Sequence, residues 1–219
     1  MFRLDSANVY RAQALEEIPW LEHGFGTRLS TGWPDTDDLA TLRQIHSDKI
    51  LKADRAGVLG DADALITNQP GITLAVRTAD CLPILMADTR NHAIAAVHAG
   101  WRGTVNEIVP KTVSAMVEQF GTHPADLVIA IGPGIGACCF EVGPEVGIQF
   151  AQFFPERSDL GQRTKVDLVE TNLRLLGRND GRMRQIATSG LCSCCGVEFH
   201  SYRRDRQEAG RMVSAIRLR

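Results

Sequence analysis

The stretch ILMADTRNHAIAAVHAGWRGT, residues 84–104, decides how the fold is read. Its first two thirds hold two apolar runs separated by Asp88-Thr89-Arg90-Asn91-His92, a cluster of turn-forming residues. Both runs are too short to be separate helices, so residues 84–97 are expected to form a β-hairpin. His98 ends the second run. Gly100, Trp101, Arg102 and Gly103 then lead into a helix expected to begin near Thr104. From there Val105, Ile108, Val109, Val113, Met116 and Val117 follow a three-four spacing that Gly121 ends, with Pro110 implying a kink or a late start.

Outward from this stretch the same kind of run recurs: ALIT at 64–67, ITLAV at 72–76 and LVIAI at 127–131, each bounded by Gly, Pro, Asn or Asp. Such runs suit strands of a largely buried sheet. Further helices are expected at about 144–153 and 166–176, the latter because Leu168, Asn172, Leu173 and Leu176 share a face. LSTGWPDTDDLA, residues 29–40, is expected to be an exposed loop within the domain. Strands outnumber helices and no strict βαβ alternation is visible, so the class expected is α+β.

With 219 residues, 44% of them hydrophobic and 23% charged, the chain has the composition of a folded water-soluble domain. A formal charge of −2, with both signs interspersed, offers no field that would concentrate nucleic acid or anionic lipid. No run approaches the roughly 18 apolar residues of a membrane span, and the N-terminus lacks a basic segment followed by an apolar one. The expectation is a cytoplasmic protein with neither nucleic acid nor membrane as partner. Its six cysteines, Cys81, Cys138, Cys139, Cys192, Cys194 and Cys195, are then expected to be thiols rather than disulfides. Cys192-Ser193-Cys194-Cys195 resembles a metal claw, but a closed zinc site takes four ligands, and surface or packed thiols are the reading preferred there.

Three residues at the ends of apolar runs have the chemistry of metal ligands: His46, Cys81 and His98, separated by 35 and 17 residues. Two imidazoles and a thiolate make a three-ligand zinc site with a fourth position open, the catalytic rather than the structural arrangement. The same residues also admit a metal-free reading, with Cys81 as nucleophile and His98 as its base, and the spacing does not separate the two. Gly100 and Gly103 at a helix start, together with the forked guanidinium of Arg102, suit an oxyanion such as phosphate; a tight turn with a solvated Arg102 is the plainer alternative. GPGIG at 132–136 lacks the third glycine and the helix of a dinucleotide fingerprint. The paired H-x-E and P-C-x-x-C of nucleobase deaminases and the G-x-S-x-G of serine hydrolases are absent.

Six segments in order, QIHSDKI, DADALIT, RTADCLPILMAD, AVHAGWRGT, IGPGIGACCFEVGPEV and HSYRRD, resemble the YfiH-type laccase-domain family of purine nucleoside phosphorylases, over roughly residues 22–215. The resemblance implies one α+β domain over residues 1–219, with mixed β-sheets packed among helices. It also implies a zinc held by His46, Cys81 and His98, phosphorolysis of adenosine, inosine and methylthioadenosine, and deamination of adenosine. An older label for such proteins is copper-dependent polyphenol oxidase, so copper is the alternative metal. With only six His, the chain is short of ligands for a cluster of several coppers.

On this reading Asp80 is an orienting or acid-base group, Arg43, Arg77, Arg102 and Gly103 are candidates for phosphate, and Gln44 is a candidate nucleoside contact. Arg203 and Arg204 are expected to tie the C-terminal strand into the domain. Two alternatives remain beside the phosphorylase: a metal-free Cys-His hydrolase, and a non-catalytic, zinc-stabilised protein that binds a nucleoside or a cell-wall precursor. The chain departs from the family in a shortened segment between GFGTR and RQIHS, expected to trim the pocket wall, and in Arg206 and Ala209 where Gly and Thr are usual.

Overall fold

The expected hairpin is formed. In the computed structural model, which describes residues 1–178 and 183–219, strands Leu82–Asp88 and Ala93–Ala99 pair antiparallel with Met86 opposite Ala95. Asp88 organises the turn. Its fully buried carboxylate accepts the backbone N–H groups of Arg90 and Asn91 at 2.9 and 3.0 Å and the Asn91 side-chain amide at 3.1 Å.

This hairpin is the centre of a six-stranded sheet ordered Gln185–Thr188, Leu127–Ile131, Leu82–Asp88, Ala93–Ala99, Ala64–Thr67, Ile50–Lys52. Side chains alternate between its two faces. Leu65, Leu85, Ala96 and Val128 pack with Phe25, Leu74, Val76 and Ile216 of a second, seven-stranded sheet, while Ile66, Ile84, Met86, Val97 and Ile129 pack with Ile108, Val113, Met116 and Leu176 of the helical layer. Burial on both faces removes the need for polar residues, which is why the four inner strands read as nearly unbroken apolar runs, while the partly exposed edge strands Gln185–Thr188 and Ile50–Lys52 do not.

The seven-stranded sheet is where sequence reading failed. Its order is Phe2–Leu4, Val9–Ala12, Leu21–Gly26, Met212–Leu218, Thr73–Thr78, Leu39–Arg43, Gly57–Asp61, and only Thr73–Thr78 is foreseen from the apolar runs. With only one face packed on the core, strands such as Leu21–Gly26 and Met212–Leu218 carry Glu22 and Arg217, which pair with each other across the ladder and break the apolar pattern.

The helical expectations are met with shifted boundaries. A short helix, Trp101–Val105, begins three residues before Thr104; Glu107 at φ 61° breaks it, and Ile108–Phe120 follows, ended by Gly121 at φ 68°. Pro110 stands in the first turn of that second helix, where its missing N–H has no intrahelical partner to lose. Residues 144–153 form one α turn, Pro144–Gly147, and a 3-10 turn, Ile148–Phe150. Leu168–Gly177 is capped by the Asp167 carboxylate, which accepts the Glu170 N–H at 2.9 Å.

Arg203 and Arg204 do not hold the C-terminal strand. Arg203 donates to the carbonyls of Cys139 and Glu141, each at 2.9 Å, and Arg204 donates to those of Ser193, Cys194, Gly196 and Phe199. They stitch loops together, and the strand Met212–Leu218 is secured by its neighbours on either side.

One buried histidine makes stability depend on pH. His23 is 3% exposed, and its Nε2 accepts the Ala12 N–H at 2.9 Å, so the ring is neutral. Burial first, then the nearby Arg11 and Arg3, push its pKa down to about 3. The unfolded chain takes up that proton near 6.5 and the folded chain does not, so stability is full above 6.5 and falls as pH drops toward 3. Denaturant titrations of wild type at pH 7 and pH 4 should therefore differ from those of His23→Gln by about 3 kcal/mol in excess pH sensitivity. Equal pH slopes in the two proteins would remove His23 as the cause.

Candidate metal centre

His98 is the penultimate residue of Ala93–Ala99, Cys81 lies in the crossover from Thr73–Thr78 of one sheet to Leu82–Asp88 of the other, and His46 follows Leu39–Arg43. Strand ends from both sheets thus meet at one point. One donor atom from each of the three lies within 4.8 Å of the others, and the imidazoles of His46 and His98 meet edge to face with centroids 4.9 Å apart. His46 holds φ 58°, a left-handed conformation uncommon for a side-chain-bearing residue.

What holds His46 and His98 together is Asp63, which sequence reading missed. Asp63 is fully buried; one carboxylate oxygen accepts His98 Nδ1–H at 2.8 Å and the His46 N–H at 3.0 Å, and the other accepts the Ser47 N–H at 2.6 Å and its hydroxyl at 2.7 Å. The carboxylate therefore fixes the His98 tautomer, leaving Nε2 free toward Cys81, and pins the turn that carries His46. The available signal was an aspartate set directly before the short, largely apolar strand Ala64–Thr67, where a charge has no place unless it is paired.

The electrostatics follow from these contacts. Burial pushes the Cys81 thiol up, but hydrogen bonds from His46 and His98 outweigh it and bring it down to about 6. Burial pulls His98 down, yet Asp63 and Cys81 raise it to about 9. Burial raises Asp63 while His98 and Ser47 lower it to about 2. A thiolate and two imidazoles, one with its outer nitrogen tied to a carboxylate, fit the donor set of a three-ligand metal centre.

Gly100 explains part of the opening stretch. A Cβ there would lie 2.9 Å from Cys81 Sγ and 3.2 Å from His46 Cδ2, so the glycine clears space for the donors. Gly103 packs instead against the Ser47 carbonyl, 3.1 Å from where its Cβ would be, and does not line the adjoining cavity.

That cavity, of about 730 Å3, is lined by all three donors. Of the residues expected at the site, Gln44, Arg77, Asp80 and Arg102 are brought to it as well. Arg77 and Arg102 are exposed, and the Arg102 guanidinium lies 4.3 Å over the Trp101 ring. Gln44 spends its amide on the Arg77 backbone, donating to the carbonyl at 2.7 Å and accepting the N–H at 2.8 Å. Arg43 pairs with Asp61 at 2.6 Å and is not on the cavity wall. Asp80, at φ 86°, accepts the Ser193 hydroxyl at 2.7 Å and the Arg203 N–H at 2.6 Å, linking the Cys81 turn to the far loop. No residue of the shortened segment, 29–41, lines the cavity; its wall starts at Leu42.

Fold and site together define a class: an α+β protein whose two sheets bring a His, Cys, His donor group to the wall of a cavity that also carries basic residues. The chain belongs to the family described as multi-copper polyphenol oxidoreductase laccase, whose model matches residues 27–219. It is 40% identical over 187 residues to a purine nucleoside phosphorylase of Deinococcus radiodurans, covering 83% of this chain and 71% of that one. It is 34% identical over 199 residues to the adenosine deaminase RL5 of an unknown prokaryotic organism, covering 83% and 76%. The crystal structure of the hypothetical protein YfiH of Bacillus licheniformis superposes with a TM-score of 0.87 at 29% identity, over 100% of this chain and 99% of that one. Among the described residues no helix is long and apolar enough to cross a membrane.

Proposed function

We propose that the protein is a zinc-dependent purine nucleoside phosphorylase acting on adenosine, inosine and methylthioadenosine, with adenosine deaminase activity. The observation that carries this reading is the three-donor group on the wall of a cavity large enough for a nucleoside and a phosphate together. His46, Cys81 and His98 would hold the ion. When bound it supplies a Lewis acid and lowers the pKa of its water to about 7.

The chain's own residues do the rest. Asp63 keeps the proton on His98 Nδ1, so Nε2, which faces Cys81, is the nitrogen that would give up its proton to bind the ion. Asp80, held by Ser193 and Arg203, sets the Cys81 turn and acts as a positioning residue. Arg77 and Arg102 are the phosphate anchors, since their guanidiniums are exposed at the cavity whereas that of Arg43 is paired with Asp61. Leu42, Phe140, Val142 and Tyr202 supply apolar wall for a purine and exclude water from the bond to be broken. In phosphorolysis the bond from sugar C1′ to the base nitrogen breaks, a phosphate oxygen bonds C1′, and the base leaves with its electron pair and takes up a proton. In deamination water adds at C6 and ammonia departs.

Zinc suits this donor set better than a copper cluster. The other four His serve elsewhere: His23 accepts the Ala12 N–H, His92 stacks on Trp20, His123 accepts the Ala125 N–H, and His200 packs at Gly210. A reducing, cytoplasmic setting would keep the Cys81 thiol available to the ion. One observation favours a second reading: Asp63, His98 and Cys81 form a carboxylate-imidazole-thiol relay of the kind that activates a cysteine nucleophile without metal. Incubating the protein with adenosine and phosphate separates the readings. Adenine and ribose 1-phosphate should appear, together with inosine, with both activities lost on chelation and restored by zinc. Turnover that survives chelation would favour the thiol, and no product under either condition would favour a binding protein.

A further inference from the structure

A second group of metal-binding side chains lies outside the cavity. Cys138 and Cys139 lie in the turn that begins at Gly136, whose carbonyl accepts the Cys139 and Phe140 N–H groups at 3.0 Å, and Cys192 and Cys195 bound the tetrapeptide Cys192-Ser193-Cys194-Cys195 in the loop before helix Tyr202–Asp205. The sulfurs of these four residues all lie within 4.8 Å of one another, with Cys195 Sγ 3.6 Å from Cys138 Sγ and 3.4 Å from Cys139 Sγ. Tetrahedral zinc with bonds of about 2.3 Å to sulfur sets sulfur to sulfur edges at about 3.8 Å, close to these separations. Two pairs of cysteines from separate loops supply the four sulfurs of a closed structural site, Cys192 and Cys195 at the usual C-x-x-C spacing and Cys138 and Cys139 as a vicinal pair.

We propose that Cys138, Cys139, Cys192 and Cys195 form a tetrathiolate site for a structural zinc ion that clamps these two loops together.

Three local features support it. The Gly136 N–H donates to Cys192 Sγ at 3.2 Å, the kind of backbone contact that stabilises a ligating thiolate. A Cβ at Gly136 would lie 3.3 Å from Cys138 Sγ and from Cys192 Cβ, a tight approach that glycine relieves. Four thiolates around a divalent ion leave two negative charges, and the surface depression beside Cys138 and Cys139 is net basic, with Lys165, Arg203 and Arg206 beside an Arg163 that pairs with Glu141.

The clamp has a purpose in the fold. Between the two loops there is a single β-bridge, Gly134 with Cys192, with the Ser193 N–H on the Gly134 carbonyl at 2.9 Å. Yet both loops continue into the cavity wall, one through Phe140 and Val142, the other through Tyr202 and Arg203. Arg203 donates to the carbonyls of Cys139 and Glu141, so fixing the sulfurs fixes the wall.

The test is metal content of protein purified under reductant and exchanged free of loose ions. Cys81→Ala, which dismantles the His46, Cys81, His98 group, should retain one zinc per chain with an all-sulfur first shell at about 2.3 Å by X-ray absorption. Cys192→Ser/Cys195→Ser should lose that ion and keep any zinc bound by the other group, while Cys194→Ser, outside the cluster, should lose none. If the double variant does not fold, the Cys81→Ala protein carries the test alone. Zinc-free Cys81→Ala, a shell containing nitrogen in that variant, or a Cys195 disulfide in anaerobically prepared protein would each overturn the proposal, and none of these bears on the nucleoside reading.

Discussion

Replacing Cys81 by Ala is expected to release the ion held with His46 and His98 and to abolish nucleoside cleavage. Cys81 supplies the sole thiolate of that group and is the side chain that both imidazoles approach. Losing a partner one shell away from a metal ligand costs about 10- to 100-fold in affinity, so losing a ligand should cost on the order of 1,000-fold or more in kcat/KM. The fold should survive, because one sulfur is removed from a residue that bounds a cavity rather than from the packed layers. Zinc analysis and the adenosine phosphorolysis assay check this, with Cys194→Ser as the thiol control. A variant that keeps both wild-type turnover and wild-type zinc would show that the three side chains do not share an ion.

Asp63→Asn is expected to weaken both metal binding and folding. The carboxylate receives donors on both oxygens and is fully buried, and an amide of the same shape presents N–H groups to donors that need an acceptor. Zinc affinity measured against a competing chelator should fall about 10- to 100-fold, because His98 loses the partner that orients it. Chemical denaturation should show a loss of about 3 kcal/mol, the cost of breaking a buried pair from one side. The sign with pH has two parts: the carboxylate held at about 2 contributes fully above the ordinary 3.8 and is lost as pH falls through about 2, while the His98 imidazole that it raises to about 9 contributes fully only below 6.5, so in the metal-free protein the gap between wild type and variant should widen from pH 7 to pH 5. Unchanged zinc affinity in Asp63→Asn would mean that something else sets the His98 tautomer.

Much of the fold was legible where burial is two-sided. The strands at 64–67, 82–88, 93–99 and 127–131 carry almost nothing but apolar residues, and Gly121 and Pro110 mark helix limits by their own backbone chemistry. The strands of the outer sheet were not legible. Val9–Ala12 and Leu21–Gly26 are short and interrupted by Arg11, Glu22 and His23, whose partners come from elsewhere in the chain. Of the site, the donors were recognisable as chemical types at strand ends. Asp63 was not, since its meaning lies in the side chains and N–H groups that reach it from residues 45–47 and 98.

By itself the amino-acid order determined the class of fold, the hairpin around Asp88 and the chemical identity of the donors, because alternation, turn chemistry and ligand type are properties of neighbours along the chain. Tertiary structure alone decided which distant residues share space. It brought His46, Cys81 and His98 within reach of one ion, gathered two cysteine pairs more than fifty residues apart, and set Met212–Leu218 between Leu21–Gly26 and Thr73–Thr78. The physical reason is that convergence depends on how two sheets cross and pack, and that is settled by the sum of all their contacts and not by any local pattern.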